Sequence, residues 1–127
     1  MPFPITEFVV TRNIANATDA ANQVLLIAPF ELEVVSIQAR HDTASTSGTM
    51  DLVKAADATA LSAGTSVLSA TMSNAGTANT NVSGALLTTI AGKKVPKGSA
   101  LGLVFAGTLT NLVNLDVTVI LRQLRKP

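Results

Sequence analysis

Glu31-Leu32-Glu33-Val34-Val35-Ser36-Ile37-Gln38-Ala39-Arg40-His41 is the stretch that decides the fold. Val35, Ile37 and Ala39 fall on one face, and Ser36, Gln38 and Arg40 on the other. A repeat of two belongs to a half-buried strand, whose successive side chains point to opposite sides. The pattern returns near the C-terminus, where Val117, Val119 and Leu121 alternate with Asp116, Thr118 and Arg122 within a strand spanning Leu115 to Leu124. It appears again in Ala100 to Ala106, with Leu101, Leu103 and Phe105 on one side.

Working outward, further strands are predicted at Ile5 to Thr11, Gln23 to Phe30, Thr49 to Ala55, Val67 to Met72 and Val82 to Ile90. Gln23 to Phe30 is a continuous apolar run and reads as a buried strand with Pro29 at its end. Met50, Leu52 and Val53 are core candidates, and Leu61 is expected to plug the core beneath its turn. Asn13 to Asn22 reads as a loop or irregular turn, with a short helix as the alternative, because Asn and Asp compete locally for backbone hydrogen bonds. Turn-forming clusters at Asp42 to Gly48, Asp57 to Gly64, Ser73 to Thr80 and Ala91 to Ser99 separate the strands. Eight or nine short, evenly spaced strands make an all-β, two-sheet β-sandwich, and a count near eight favours a jelly roll. No composition break divides the chain. The reading is an N-terminal arm and first strand over residues 1–22 and a single sandwich domain over residues 23–127.

The composition agrees. The 127 residues are 47% hydrophobic but only 13% charged and 3% aromatic, against roughly 25% charged in an ordinary soluble domain. The apolar share comes mostly from Ala, Val, Leu and Ile, and the polar share from Thr, Ser and Asn. The longest apolar run, Val24 to Phe30, is broken by Pro29 and falls far short of the ~20 residues of a membrane helix. The N-terminal Met1-Pro2-Phe3-Pro4-Ile5 does not resemble a signal peptide. A net charge of +1 gives no electrostatic case for nucleic acid. A surface so poor in charge fits burial against partner subunits, since interface cores are depleted in charge; a monomer with a plain Ser/Thr surface is the other reading.

Catalytic chemistry is sparse. There is no cysteine, so no disulfide, thiolate metal site or cysteine nucleophile. The single histidine, His41, adjoins Asp42 at a strand end, where a surface turn is favoured over two members of a hydrolase triad. No G-x-S-x-G elbow, P-loop or G-x-G-x-x-G occurs, and Gly92-Lys93-Lys94 lacks Walker spacing. Glu31 and Glu33 would lie on the same side of one strand, unlike the facing carboxylates of a glycosidase. With no Trp or Tyr, ligands that stack on aromatic rings lose weight. The reading is no enzyme, no cofactor, no metal, no small-molecule substrate, no nucleic acid and no membrane partner. The basic end formed by Arg122, Arg125 and Lys126 is either a contact for an acidic partner or a solubilising tail.

Three segments together resemble a known family. They are Glu33-Val34-Val35-Ser36-Ile37-Gln38-Ala39-Arg40, then Ser47-Gly48-Thr49-Met50-Asp51-Leu52-Val53-Lys54-Ala55-Ala56-Asp57 with Ala60-Leu61-Ser62-Ala63-Gly64-Thr65, and later Val95-Pro96-Lys97-Gly98-Ser99-Ala100-Leu101-Gly102-Leu103-Val104-Phe105. Over Glu31 to Leu124 this is similar to the jelly-roll capsid decoration, or head cement, proteins of tailed bacteriophages. Ser99 stands where that pattern often has Asp, so no acidic role carries over to this turn. The resemblance implies a homotrimer on the outside of a phage head, made in the host cytoplasm, that binds the major capsid protein and cements neighbouring capsomers. A tail, baseplate or fibre component is the alternative, and a small hydrolase the third reading. Residues expected at interfaces are Phe3, Ile5 and Phe8, on an arm that reaches a neighbour or grips the shell over Pro2 to Thr11, with Arg122, Arg125 and Lys126.

Overall fold

The computed structural model describes residues 6–124. Its strands are β1 (Glu7–Asn16), β2 (Gln23–Ile27), β3 (Leu32–Thr43), β4 (Thr49–Ala55), β5 (Thr65–Ser66), β6 (Met72–Ser73), β7 (Val82–Ser83), β8 (Lys94–Val95), β9 (Ala100–Ala106) and β10 (Val113–Gln123). One short helix, α1 (Ile90–Lys93), and 3-10 turns at Ala17–Asp19 and Leu61–Ala63 complete the set. Sheet A has the order β1-β10-β3-β7, with β8 also paired to β3; sheet B has the order β2-β9-β4-β5, with β6 also paired to β4.

This order has a simple logic. β1 pairs with β10, β2 with β9, β3 with β7 and β8, and β4 with β5 and β6, all antiparallel. The chain is therefore one long hairpin that reverses after β4. Successive limbs of that hairpin fall alternately into the two sheets, and the contacts β10–β3 and β9–β4 close the roll. It is a β-sandwich with jelly-roll strand order.

The core lies between the sheets. Leu115, Val117, Val119 and Leu121 of β10 and Leu32, Val34, Ile37 and Ala39 of β3 point in from sheet A; Met50 and Leu52 of β4 and Leu101 and Leu103 of β9 meet them from sheet B. Each fully buried Val or Leu contributes about 1.5–3 kcal/mol of transfer free energy. One phase slip corrects the sequence reading. Ile120 lies opposite Ser36 while Leu121 lies opposite Val34, so Val35 is the extra residue of a β-bulge. Val34 takes the inward place that strict alternation assigned to Val35, which is only half-buried.

Other boundaries differ for physical reasons. From Glu7 onward the expected arm is a strand of the chain's own sheet: β1 pairs with β10 and continues to Asn16, whose side-chain oxygen accepts from the Asp19 N–H at 3.2 Å and starts the 3-10 turn. β2 is not a buried strand. It is the edge of sheet B, with Val24 and Ile27 43% and 67% exposed. The strands expected at 67–72 and 82–90 are replaced by the two-residue β6 and β7, the Leu68–Leu86 bridge and α1. Val67, Leu68 and Met72 still enter the core, the first two from a loop and Met72 from β6. In the turn before β9, the Ser99 N–H donates to the Pro96 carbonyl at 3.0 Å and Gly98 has φ +86°, the conformation a type II turn requires at its third residue.

Candidate functional site

The strand register assigns every outward side chain, and the two outer faces of the sandwich differ sharply in charge. On sheet A, Glu7, Arg122 and Glu33 lie directly opposite one another across β1, β10 and β3. The Arg122 guanidinium bridges them, at 3.1 Å to Glu7 Oε2 and 3.4 Å to Glu33 Oε1. Asn13, Asp116 and Arg40 form the next such row, and Asn13 Nδ2 donates to Asp116 Oδ1 at 2.7 Å. Between these charged rows lie the uncharged rows Val9–Ile120–Ser36 and Thr11–Thr118–Gln38, so the charge of this face is gathered in two bands.

Sheet B is the opposite. Its outward positions are Val24 and Ile27 on β2, Ala100, Gly102, Val104 and Ala106 on β9, and Thr49, Asp51, Val53 and Ala55 on β4. Asp51 is the one ionisable residue among these ten, and its Oδ1 accepts from Ser66 Oγ at 2.6 Å. The centre of the face is covered by the Leu61–Gly64 turn. Gly102 lets it sit there: a Cβ on Gly102 would come within 2.6 Å of Leu61 Cδ1 and 2.5 Å of the Gln23 carbonyl oxygen. Leu61 thus plugs the outside of sheet B and not the inter-sheet core, and Val53 is buried beneath the same turn. Val24 and Ile27 remain open at the margin, where the face meets the β1–β2 side of the sandwich.

That side is held by one cation. Arg12 of β1 donates to Gln23 Oε1 at 2.8 Å and to the Val24 carbonyl at 3.0 Å, tying the edge of sheet A to the edge of sheet B. A second tie is Lys54 of β4, whose ammonium donates to the carbonyls of Ala91, Gly92 and Lys94 at 2.9, 3.3 and 2.8 Å. Burial, and then the neighbouring Lys94 charge, hold the Lys54 pKa below its ordinary value.

Of the interface residues expected from sequence, Phe8 is half-buried, with its ring edge-on to Phe30 at 6.4 Å between centroids, and Arg122 is engaged with Glu7 and Glu33. Phe3, Ile5, Arg125 and Lys126 lie outside the described residues. Sequence reasoning missed Val24 and Ile27, because an apolar run at a sheet edge reads like a buried strand.

His41 is not on a surface turn. It is 2% exposed, on the inward face of β3, and its Nε2 contacts the Gly76 carbonyl at 2.9 Å. A carbonyl only accepts, so Nε2 carries the proton. Asp42 is exposed and accepts from Asn114 Nδ2 at 3.0 Å. Neighbours in a strand face opposite ways, so the two make no catalytic pair. Ser45 Oγ, donating to the Asn74 carbonyl at 2.9 Å and accepting from the Gly48 N–H at 2.9 Å, is likewise committed to pinning loops at this end of the sandwich.

Two open depressions of about 200 and 190 Å³ lie on the surface, one lined by Gln38, Ala39, Arg40, Asn81, Asp116 and Thr118 and the other beside Lys54 and Pro96. Among the described residues no three His, Asp or Glu side chains gather as metal ligands would, and no helix is long and apolar enough to cross a membrane.

No protein-family model matches the chain, and no curated protein matches it. Among solved structures it is similar to a chain of the Bacillus endospore appendages, a family of disulfide-linked pili, at 17% identity over 95% of this chain and 89% of that one, with a TM-score of 0.47. It is also similar to a chain of the cyanophage Pam1 capsid asymmetric unit, at 15% identity over 94% and 85% of the two chains, again with a TM-score of 0.47. A likeness of this strength transfers no function.

Proposed function

We propose that the chain is a structural virion protein that binds the outside of a tailed-phage head through the charge-poor face of sheet B and holds neighbouring capsomers together. The observation that carries this is the division of charge between the two faces. Desolvating unpaired charges opposes binding, and interface cores are depleted in them. Sheet B offers such a surface, with aliphatic side chains at its margin, while the charged rows of sheet A suit solvent. The packed sandwich interior supplies a rigid mount. The partner is the major capsid protein, as the sequence resemblance implies, and the mechanism is the summation of several weak contacts.

The test adds the purified chain to heads of the encoding phage that lack it. Co-sedimentation at saturating stoichiometry, with a raised melting temperature of the heads, is the expected result. Heads that neither take up the chain nor gain stability overturn the proposal. A tail, baseplate or fibre position is the competing assignment; a gold-labelled copy imaged on the tail, away from the head, would establish it.

A further inference from the structure

We propose that the free edge of β1 is a self-association site, at which a second copy of this chain pairs β1 to β1, antiparallel, about a twofold axis through Val9.

The two lateral sides of the sandwich are built differently. On one, the edges are β5, β6, β7 and β8, each two residues long. Short, interrupted edge strands are a standard protection against pairing with another chain. On the other side β1 runs for ten residues, and its register with β10 is continuous from Glu7 to Ile14. It contains no proline, no lysine and no bulge, three of the usual edge defences, and its one inward-side charge, Arg12, is spent on Gln23 and Val24. β2, on the same side, is partly closed, because Arg12 occupies the Val24 carbonyl. Among the described residues no strand pairs with the outer edge of β1. Val9, at mid-strand and facing out, is 56% exposed.

The strand is also complementary to itself. A twofold axis perpendicular to the sheet at Val9 places Val9 opposite Val9, Phe8 opposite Val10 and Glu7 opposite Thr11. Partners share parity, so outward residues stay outward and the two copies of sheet A continue as one sheet. Neither Glu7 nor Arg12 meets a like charge. The same axis leaves both copies of sheet B on one side of the joined sheet, so two charge-poor faces point the same way. That last consequence rests on the function proposed above; the pairing does not. The twofold departs from the threefold assembly that the sequence resemblance implies, and solution mass separates them.

The experiment is light scattering of the full chain at micromolar concentration, with three variants. The wild type is expected at twice its 13.0 kDa chain mass. Val9→Lys places two like charges opposite one another and is expected to weaken the dimer about tenfold or more while leaving the melting temperature of the monomer unchanged. The chain has no cysteine, so Val9→Cys introduces a single thiol. Opposed Cα atoms at roughly 4.5–5.5 Å fall within disulfide range, and mild oxidation is expected to give a covalent dimer. Val113→Cys, on exposed β10 residue Val113 away from this edge, is expected to stay monomeric on the same gel. A wild type of one or three chain masses, or equal cross-linking at both cysteines, overturns the pairing. Head binding by monomeric Val9→Lys, weakened only in avidity, keeps this result separate from that of the shell-binding proposal.

Discussion

Substituting Gly102 by Ala tests how the charge-poor face of sheet B is assembled. The added Cβ would lie 2.5 Å from the Gln23 carbonyl oxygen and 2.6 and 3.0 Å from the two Cδ atoms of Leu61. The first neighbour is backbone of the adjacent strand and cannot swing away; the second can rotate only by lifting the turn that covers Val53. Overpacking of this kind costs about 1–3 kcal/mol. For a chain of this length that is roughly 4–12 °C in melting temperature. Urea unfolding followed by far-UV circular dichroism measures it, with an unchanged m-value showing that stability alone moved. Leu61→Ala removes one of the two obstacles, so the double variant is expected to lose less than the sum of the single losses. The backbone oxygen remains, so the rescue is partial. A Gly102→Ala protein as stable as the wild type would refute the close approach of Leu61 and β2 over Gly102, and with it the description of this face.

Lys54→Met removes three hydrogen bonds to carbonyls near the end of α1 and is expected to cost about 1–2 kcal/mol by the same measurement. Because the Lys54 pKa is lowered from its ordinary 10.5, the unfolded chain binds more protons between the lowered value and 10.5. This residue's contribution to stability therefore rises with pH through that window, and the rise should disappear from the alkaline stability profile of Lys54→Met. His41→Ala empties a core position and frees the Gly76 carbonyl, so thermal melting is expected to show a loss of about 2–4 kcal/mol. Ala58 sits at φ +65° in an exposed turn; Ala58→Gly is expected to add about 0.5–1 kcal/mol in urea titration. Folding should be slow, on the order of milliseconds to seconds in stopped-flow refolding, because β1 must find β10 before either is stable.

Much of the fold is legible in the residues where one face is buried and the other is wet. Thr49–Ala55 and Ala100–Ala106 coincide with β4 and β9, and Val117, Val119 and Leu121 point inward as their alternation requires. The pattern misleads where a second influence acts. At Val35 a bulge shifts the phase. In Gln23 to Ile27 an edge strand is apolar on its outward side too, so burial and exposure look alike in sequence. Between residues 56 and 93 core residues are carried on loops and two-residue strands, too short for periodicity to register. His41 reads as a turn residue because the strand's extension to Thr43 is made of polar side chains. The candidate surface was legible only as a shortage of charge over the whole chain. Where that shortage lies depends on which strands share a sheet, and that follows from pairing between residues as distant as Glu7 and Arg122.

The proposal that function resides in the charge-poor face of sheet B is tested most directly by comparing one new charge on each face. Ile27→Lys places it on sheet B, and Gln38→Lys on sheet A; both positions are exposed. Affinity for the phage heads of the proposed function is then measured by co-sedimentation. Ile27→Lys is expected to weaken binding about 10- to 100-fold, the equivalent of about 1.4–2.8 kcal/mol, while Gln38→Lys binds as the wild type does. Loss of binding in Gln38→Lys with full binding in Ile27→Lys would contradict the account.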